Sequence, residues 1–359
     1  MIEATIISIL VLLLAWANGA NDIPKGIATL VGSGVSRPLR AVAWGTLCTV
    51  TGGLAALAWG GELVNTFSAL LTAADPAAGR RIVAASLCGA TAWVALATRL
   101  GLPVSTTHAL LGGIVGAVLV GVGSSDLHGE VLAKKVLTPL LLSPLIAIAA
   151  CWALLRAARF VAAHVPAWKP GCCEHDEWRK NPYVCADDGR TGAGNLNERL
   201  WRALHWFSSG ATSFARGLND VPKIAAFLIV ATALSPVGTG LPDAATGPIV
   251  AVTLVMALGG VWGSRKVLRV LAYRVARLES GSGLVANVGT SFLVLAATPL
   301  GLPVSTTHVS TGALMGVRWS DRSLPQEADA LKSILLGWIV TLPVAAIIAA
   351  IAMQRLKTL

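Results

Sequence analysis

The chain repeats itself. The tract Gly19-Ala20-Asn21-Asp22-Ile23-Pro24-Lys25 returns as Gly217-Leu218-Asn219-Asp220-Val221-Pro222-Lys223, at an offset of 198 residues. Leu100-Gly101-Leu102-Pro103-Val104-Ser105-Thr106-Thr107-His108 returns as Leu300-Gly301-Leu302-Pro303-Val304-Ser305-Thr306-Thr307-His308, at an offset of 200. Two separated motifs recurring in the same order at nearly the same offset mark a duplicated unit of about 200 residues. Whatever the fold, each half presents one copy of both motifs.

The solvent of that fold follows from composition, which is 55% hydrophobic and 13% charged. Uncharged runs such as Ile82 to Leu96, Leu137 to Leu155 and Ile334 to Met353 approach or reach the roughly 20 residues that cross a hydrocarbon core as a helix. The expected class is an all-α polytopic membrane protein. Met1 to Ala17 lacks the basic n-region and cleavage site of a signal peptide and reads as a mature helix. The net charge of +10 is spread over short loops, which suits membrane orientation rather than nucleic acid. The longest polar stretch, residues 157–199, reads as a linker between a first transmembrane repeat (1–156) and a second (200–359). Its basic residues, with Arg37, Arg40 and the run from Arg265 to Arg277, place three loops in the cytoplasm by the positive-inside rule. Five crossings per half follow, near residues 4–35, 41–60, 82–100, 102–122 and 132–156, then 200–235, 246–262, 284–300, 303–317 and 331–353. An odd count puts both termini outside and inverts the second copy relative to the first, as in many secondary transporters.

The chemistry concentrates in the repeated motifs. Gly19, Asn21, Asp22 and Pro24 are poor helix-interior residues, so the long first helix is expected to break at Asn18 to Pro24, and its copy likewise. A helix restarting at Asn21-Asp22-Ile23-Pro24 offers free backbone amides to an anion. Pro103-Val104-Ser105-Thr106-Thr107 and Pro303-Val304-Ser305-Thr306-Thr307 offer the same with added hydroxyls. Four such helix starts would suit a tetrahedral oxyanion, whereas a cation would face the wrong dipole ends. Asp22 and Asp220 are ionisable groups inside apolar surroundings, and Lys25 and Lys223 stand beside the expected breaks. For His108 and His308 three roles stay open: donation to substrate, proton shuttling, or bonding of buried carbonyls. Cys172, Cys173, His175 and Cys185 carry zinc-type groups at a spacing that fits no standard pattern, with solvated thiols as the alternative. No P-loop is present, no cofactor is expected, and an ATP-driven pump within this chain is not expected.

At these motifs the sequence resembles the inorganic phosphate transporter family, the sodium- or proton-coupled phosphate permeases. Gly-Ala-Asn-Asp at 19–22, Gly-Leu-Asn-Asp at 217–220, and Gly-Leu-Pro-Val-Ser-Thr-Thr-His at 101–108 and 301–308 carry the likeness. It implies a homodimer with an inverted-repeat core. It also implies phosphate contacts at Asn21, Asp22, Ser105, Thr106, Thr107, Asn219, Asp220, Ser305, Thr306 and Thr307. The chain departs from the pattern in two ways. Pro24-Lys25 and Pro222-Lys223 replace the family's usual continuation, and Thr49 and Asn287 stand where sodium-coupled members tend to carry Glu. Two acids lost and two bases gained make the site more positive by about four charges, which opposes bound sodium in a low-dielectric setting. The expected activity is phosphate uptake across the cytoplasmic (inner) membrane by alternating access, with Lys25 and Lys223 in place of sodium and coupling to protons or none. Sulfate as cargo, an anion channel, or a phosphate sensor acting through the linker are the alternatives.

Overall fold

The computed structural model describes residues 2–71, 75–123, 129–164, 196–234, 245–275, 280–320 and 328–358. Twelve α-helices hold these residues, in an all-α polytopic membrane protein. The first half contains α1 (Ile2–Gly32), α2 (Pro38–Trp59), α3 (Gly61–Leu71), α4 (Pro76–Leu100), α5 (Thr106–Gly121) and α6 (Thr138–His164), the last preceded by a wide turn of helix at Val131–Leu137. The second contains α7 (Leu196–Ala233), α8 (Thr246–Gly263), α9 (Arg265–Val270), α10 (Ser280–Ala297), α11 (Thr306–Ser320) and α12 (Ala328–Lys357). Among the described residues seven helices are long and apolar enough to cross a membrane. The burial pattern is that of a protein dissolved in lipid. Leu141, Phe207, Phe292 and Ile339 point outward, while Asn, Asp, Lys, Ser and Thr side chains are buried alongside an apolar core.

All ten expected crossings carry a helix. Two short helices were not expected, α3 and α9, each too short to span and thus without a hydropathy signal. The expected helix breaks are absent. α1 runs through Asn18–Pro24, and α7 runs through Asn219–Pro222, with Pro24 and Pro222 inside the helices. The reason is that Asn21 and Asp22 spend their side chains on neighbouring segments rather than competing for their own helix's amides. The proline then costs only one backbone bond, which membrane helices tolerate when neighbours are polar. A helix of 31 residues is about 46 Å long at 1.5 Å per residue, so its excess length is met by tilt or overhang.

The halves are interleaved. α2 of the first half lies on α7, and α8 of the second lies on α1; α12 packs on α5, and α6 on α11. At the first pair of crossings the backbones nearly touch. A Cβ on Gly19 would collide with the Met256 carbonyl, and one on Gly217 with the Thr49 carbonyl. This is why both copies of the motif begin with glycine: only small residues let helices approach this closely.

Two ends can be told apart. At one, the last turns of α1, the start of α2 and α9 share a cluster of Ile27, Val31, Ala41, Val42, Leu268 and Ala272. Trp44 donates Nε1 to the Trp206 carbonyl near the start of α7 at 3.0 Å. Arg37, Arg40, Arg202 and Lys266 therefore share this basic end, and the second halves of α6 and α11 reach it through Leu155, Val267 and Val317. At the opposite end Arg80 pairs with Glu3 at 2.9 Å and donates to the Leu234 carbonyl at 2.8 Å, and Lys357 donates to the Val120 carbonyl at 2.6 Å. Arg80 and Lys357 are thus held by local acceptors. α5 and α11 start face to face, with the Ser105 and Ser305 hydroxyls 2.8 Å apart, and run to opposite ends.

Both starts are set by the same turn. Gly101 and Gly301 take φ values of 78° and 65° and close α4 and the short turn Thr298–Leu300 after α10. Leu102 and Leu302 then donate back to the Ala97 and Ala297 carbonyls. Residues 102–105 and 302–305 lie outside the helices, and Ser105 caps α5 by accepting from the His108 amide at 3.2 Å, as Ser305 does for His308. Alanine at Gly101 should lower stability by about 1–2 kcal/mol through left-handed strain alone. At Gly301 the loss should be larger, because Glu62 and Thr66 stand 3.1 Å from the new Cβ. Thermal unfolding of the two variants in detergent tests the ranking.

Candidate functional site

The repeated motifs meet in one buried cluster. Asn21 holds the turn between α4 and α5: its Nδ2 donates to Thr98 Oγ1 and the Leu102 carbonyl, each at 2.9 Å, and its Oδ1 accepts from the Val104 amide at 3.1 Å. Asn219 does similar work in the second half, donating to the Val304 carbonyl at 3.2 Å. Each asparagine thereby fixes the start of the helix that follows the Pro-Val-Ser-Thr-Thr turn of its own half.

The lysines reach across. Lys25 Nζ is paired with Asp22 and donates to the Val104 carbonyl at 2.7 Å and to Thr307 Oγ1, from the other half, at 2.6 Å. Lys223 Nζ lies 2.7 Å from Asp220 Oδ1, 2.7 Å from Thr107 Oγ1 of the other half and 3.4 Å from the Val304 carbonyl. The two cages are the same set with the halves exchanged: a carboxylate, a carbonyl and a hydroxyl around each ammonium. An ammonium has three protons, and each is matched to one oxygen.

A third cation lies among them. Arg216 of α7, 1% exposed, donates from Nη2 to the Thr306 carbonyl at 3.0 Å and Ser310 Oγ at 2.8 Å, and reaches Asp22 Oδ2 from Nη1 at 3.4 Å. Its Nε has no partner among the described residues. Thr306 Oγ1 lies 3.0 Å from Asp22 Oδ2 and 3.5 Å from Asp220 Oδ2, tying the acids of both halves together. Sequence reasoning missed Arg216 because it attended to what the copies share. The signal was in their difference: at the offset of 198, Arg216 corresponds to Asn18, which donates only to Thr106 Oγ1 at 2.8 Å. Three cations against two acids leave one surplus positive charge, buried where charge interactions are strong.

The histidines stack. His108 and His308 have ring centroids 4.2 Å apart, and His308 lies 3.9 Å from the Trp338 ring. His108 Nδ1 shares a 2.8 Å hydrogen bond with Ser105 Oγ. Thr49 and Asn287 lie beside the charged cluster: Thr49 Oγ1 donates to the Ser213 carbonyl at 3.3 Å, and Asn287 exchanges hydrogen bonds with Thr29, one turn of α1 beyond Lys25, at 2.9 and 3.2 Å. Cys172, Cys173, His175 and Cys185 lie outside the described residues. Among the described residues no group of His, Cys, Asp or Glu could hold a metal ion.

The arrangement can bind an anion. Two helix N-termini converge head to head, bringing free amides and the positive ends of their dipoles together, next to three cations and a set of hydroxyl donors. Comparisons with known proteins agree in kind. The sequence profile described as the phosphate transporter family matches residues 18–349. The chain is 27% identical to a protein of Rhizobium meliloti (strain 1021) named a probable low-affinity inorganic phosphate transporter, over 93% of this chain and 90% of that one. It is 25% identical to a protein of the same name from Bacillus subtilis (strain 168), over 97% and 96%. A solved structure described as the sodium-dependent phosphate transporter superposes with a TM-score of 0.84 at 21% identity, covering 100% of both chains, which is a likeness of fold.

Proposed function

The chain belongs to the phosphate transporter family, and on that premise we propose that it carries inorganic phosphate across the cytoplasmic membrane by alternating access, with Lys25 and Lys223 in place of coupling sodium ions. The observation that carries the proposal is the pair of exchanged lysine cages. Carboxylate, carbonyl and hydroxyl oxygens are the donor set of a hard metal cation, and here each set surrounds an ammonium. A tethered charge supplies the electrostatics of a bound ion without being transported.

Phosphate is held, in this reading, where α5 and α11 begin. Amides of Thr106, Thr107, Thr306 and Thr307 and their hydroxyls supply donors, and the surplus positive charge of the cluster favours an anion. A proton-bearing phosphate can donate to Asp22 or Asp220, which sulfate cannot. The exchanged contacts and the opposite runs of α5 and α11 support two repeats of inverted orientation, the geometry in which two half-related conformations open to opposite sides. The basic end then faces the cytoplasm, and both termini lie outside. Every charged group of the cluster is buried, as suits a form closed to both sides.

Purified protein in proteoliposomes, supplied with labelled phosphate, tests this directly. Uptake is expected to proceed at the same rate with sodium and with an impermeant organic cation in its place. A steep sodium dependence would show that the lysines do not substitute for the ion.

A further inference from the structure

Between the charged cluster and the basic end, α7 turns one polar face inward: His205, Ser208, Ser209, Thr212, Ser213 and Arg216, all buried. Steps of three and four residues keep them on one side of the helix. Ser209 donates to the Gly26 carbonyl of α1 at 2.8 Å, and Thr212 donates to the Asn287 carbonyl of α10 at 3.1 Å and meets Ser291 Oγ at 2.9 Å. Thr29 and Asn287 face each other across the same seam.

The other half has no such seam. At the offset of 198 the counterparts on α1 are Ile7, Leu10, Val11, Leu14, Ala15 and Asn18. Ile7, Val11, Leu14 and Ala15 are buried in the main apolar core, with Leu10 packed against it. At the offset of 200 that relates the second motifs, Asn287 corresponds to Leu87 and Thr290 to Ala90, and at 198 Thr29 corresponds to Phe227; these three belong to that core as well, while Ser291 corresponds to Thr91, whose hydroxyl is spent on the Leu10 carbonyl at 3.4 Å. Burying hydroxyls and amides costs free energy unless each is bonded, and apolar residues demonstrably fill the equivalent space. Two polar atoms of the seam, Ser213 Oγ and Arg216 Nε, have no partner among the described residues. None of the seam side chains named above is an acid, and its inner end is a guanidinium, which suits an anion.

We infer that the seam between α1, α7 and α10 is the closed passage linking the site to the basic end, along which the transported oxyanion moves, while its counterpart between α1, α4 and α7 is sealed by apolar side chains. The cargo's identity rests on the proposed function; the passage itself does not. Its hydroxyls replace hydration water one turn at a time, and the face α7 turns toward α1 and α10 is the polar one. The apolar counterpart closes by exclusion of water.

The test uses the full chain with its six cysteines replaced by serine or alanine, in sealed vesicles, and an anionic methanethiosulfonate reagent applied to one face at a time. Ser209→Cys and Thr212→Cys should react from the linker face, and the reaction should be lost from the opposite face and lost under saturating phosphate. Val11→Cys and Leu14→Cys should not react from the linker face. Absence of labelling at both seam positions in a chain that still takes up phosphate overturns the inference, as does labelling of Leu14→Cys from the linker face at the seam's rate. Linker-face labelling that sulfate suppresses and phosphate does not would uphold the passage and overturn phosphate as the cargo. Ser209→Phe, in a preparation that remains monodisperse and folded, should block uptake; full uptake in that variant would place the passage elsewhere.

Discussion

With both lysines replaced, in the variant Lys25→Ala with Lys223→Ala, phosphate uptake is expected to vanish in sodium-free medium and to return in part when sodium is added. The loss follows from the buried pairs. Removing one partner of a buried ion pair costs about 3–5 kcal/mol when the other charge is left uncompensated, as at Asp220, and less at Asp22, where Arg216 remains 3.4 Å away. The return follows from what remains. Each vacated position keeps a carboxylate, a backbone carbonyl and a threonine hydroxyl, contributed by both halves, and these are ligands a hard monovalent cation accepts. Arginine at the same positions is not expected to serve, since a planar guanidinium cannot fill a compact three-oxygen cage. Initial rates of labelled phosphate uptake against sodium concentration, compared for wild type, the double alanine and the double arginine variants, give the answer. A double alanine variant that purifies as a monodisperse folded protein yet stays inactive in sodium sinks the idea of tethered charge replacing an ion. One that transports without sodium sinks it from the other side.

How much of this was legible beforehand depends on which physical signal carried it. That helices lie at the ten expected places was readable because hydropathy over about 20 residues is a strong signal in a membrane chain, and among the described residues seven helices are long and apolar enough to cross. α3 was not, since eleven residues with Glu62 and Asn65 read as a loop until Thr66 is seen to donate to the Gly301 carbonyl at 3.0 Å and brace the second turn. The duplication picked out residues that the fold gathers into one buried cluster, but propensity misled about α1 and α7. Asn, Asp and Pro predict a break only if their side chains act locally, and Asn21, Asp22 and Lys25 instead bond to segments about 80 and 280 residues away in sequence. No local rule contains that information. The motifs therefore supply two helix starts, at Thr106 and Thr306, rather than four, and the first motif of each half supplies charge and bracing in place of amides.

Replacing Arg216 with Asn, the residue that the first half carries at the matching position, is expected to raise the KM for phosphate by about 10- to 100-fold while changing kcat much less. A hydrogen bond to a charged group is worth roughly 1.5–3 kcal/mol, and each 1.4 kcal/mol is about tenfold in affinity; an interaction lost equally from bound ground state and transition state appears in KM. Arg216 is the group placed to supply it. Lys25 and Lys223 are each committed to their own aspartate within three residues, whereas the guanidinium holds Asp22 only at 3.4 Å and has Nε unengaged among the described residues. It is the one cation of the three whose charge is not cancelled by a neighbour of its own. Lysine at 216 should fall between, keeping the charge and losing the two-pronged geometry that suits a tetrahedral oxyanion. Were Arg216 only a brace for the Thr306 carbonyl and Ser310, both variants would lower the thermal midpoint and the amount of folded protein, and the KM of what remained would be unchanged. Steady-state uptake over a range of phosphate concentrations, with unfolding followed on the same preparations, separates the two outcomes, and an unchanged KM in Arg216→Asn would remove the surplus charge from the account of anion selection.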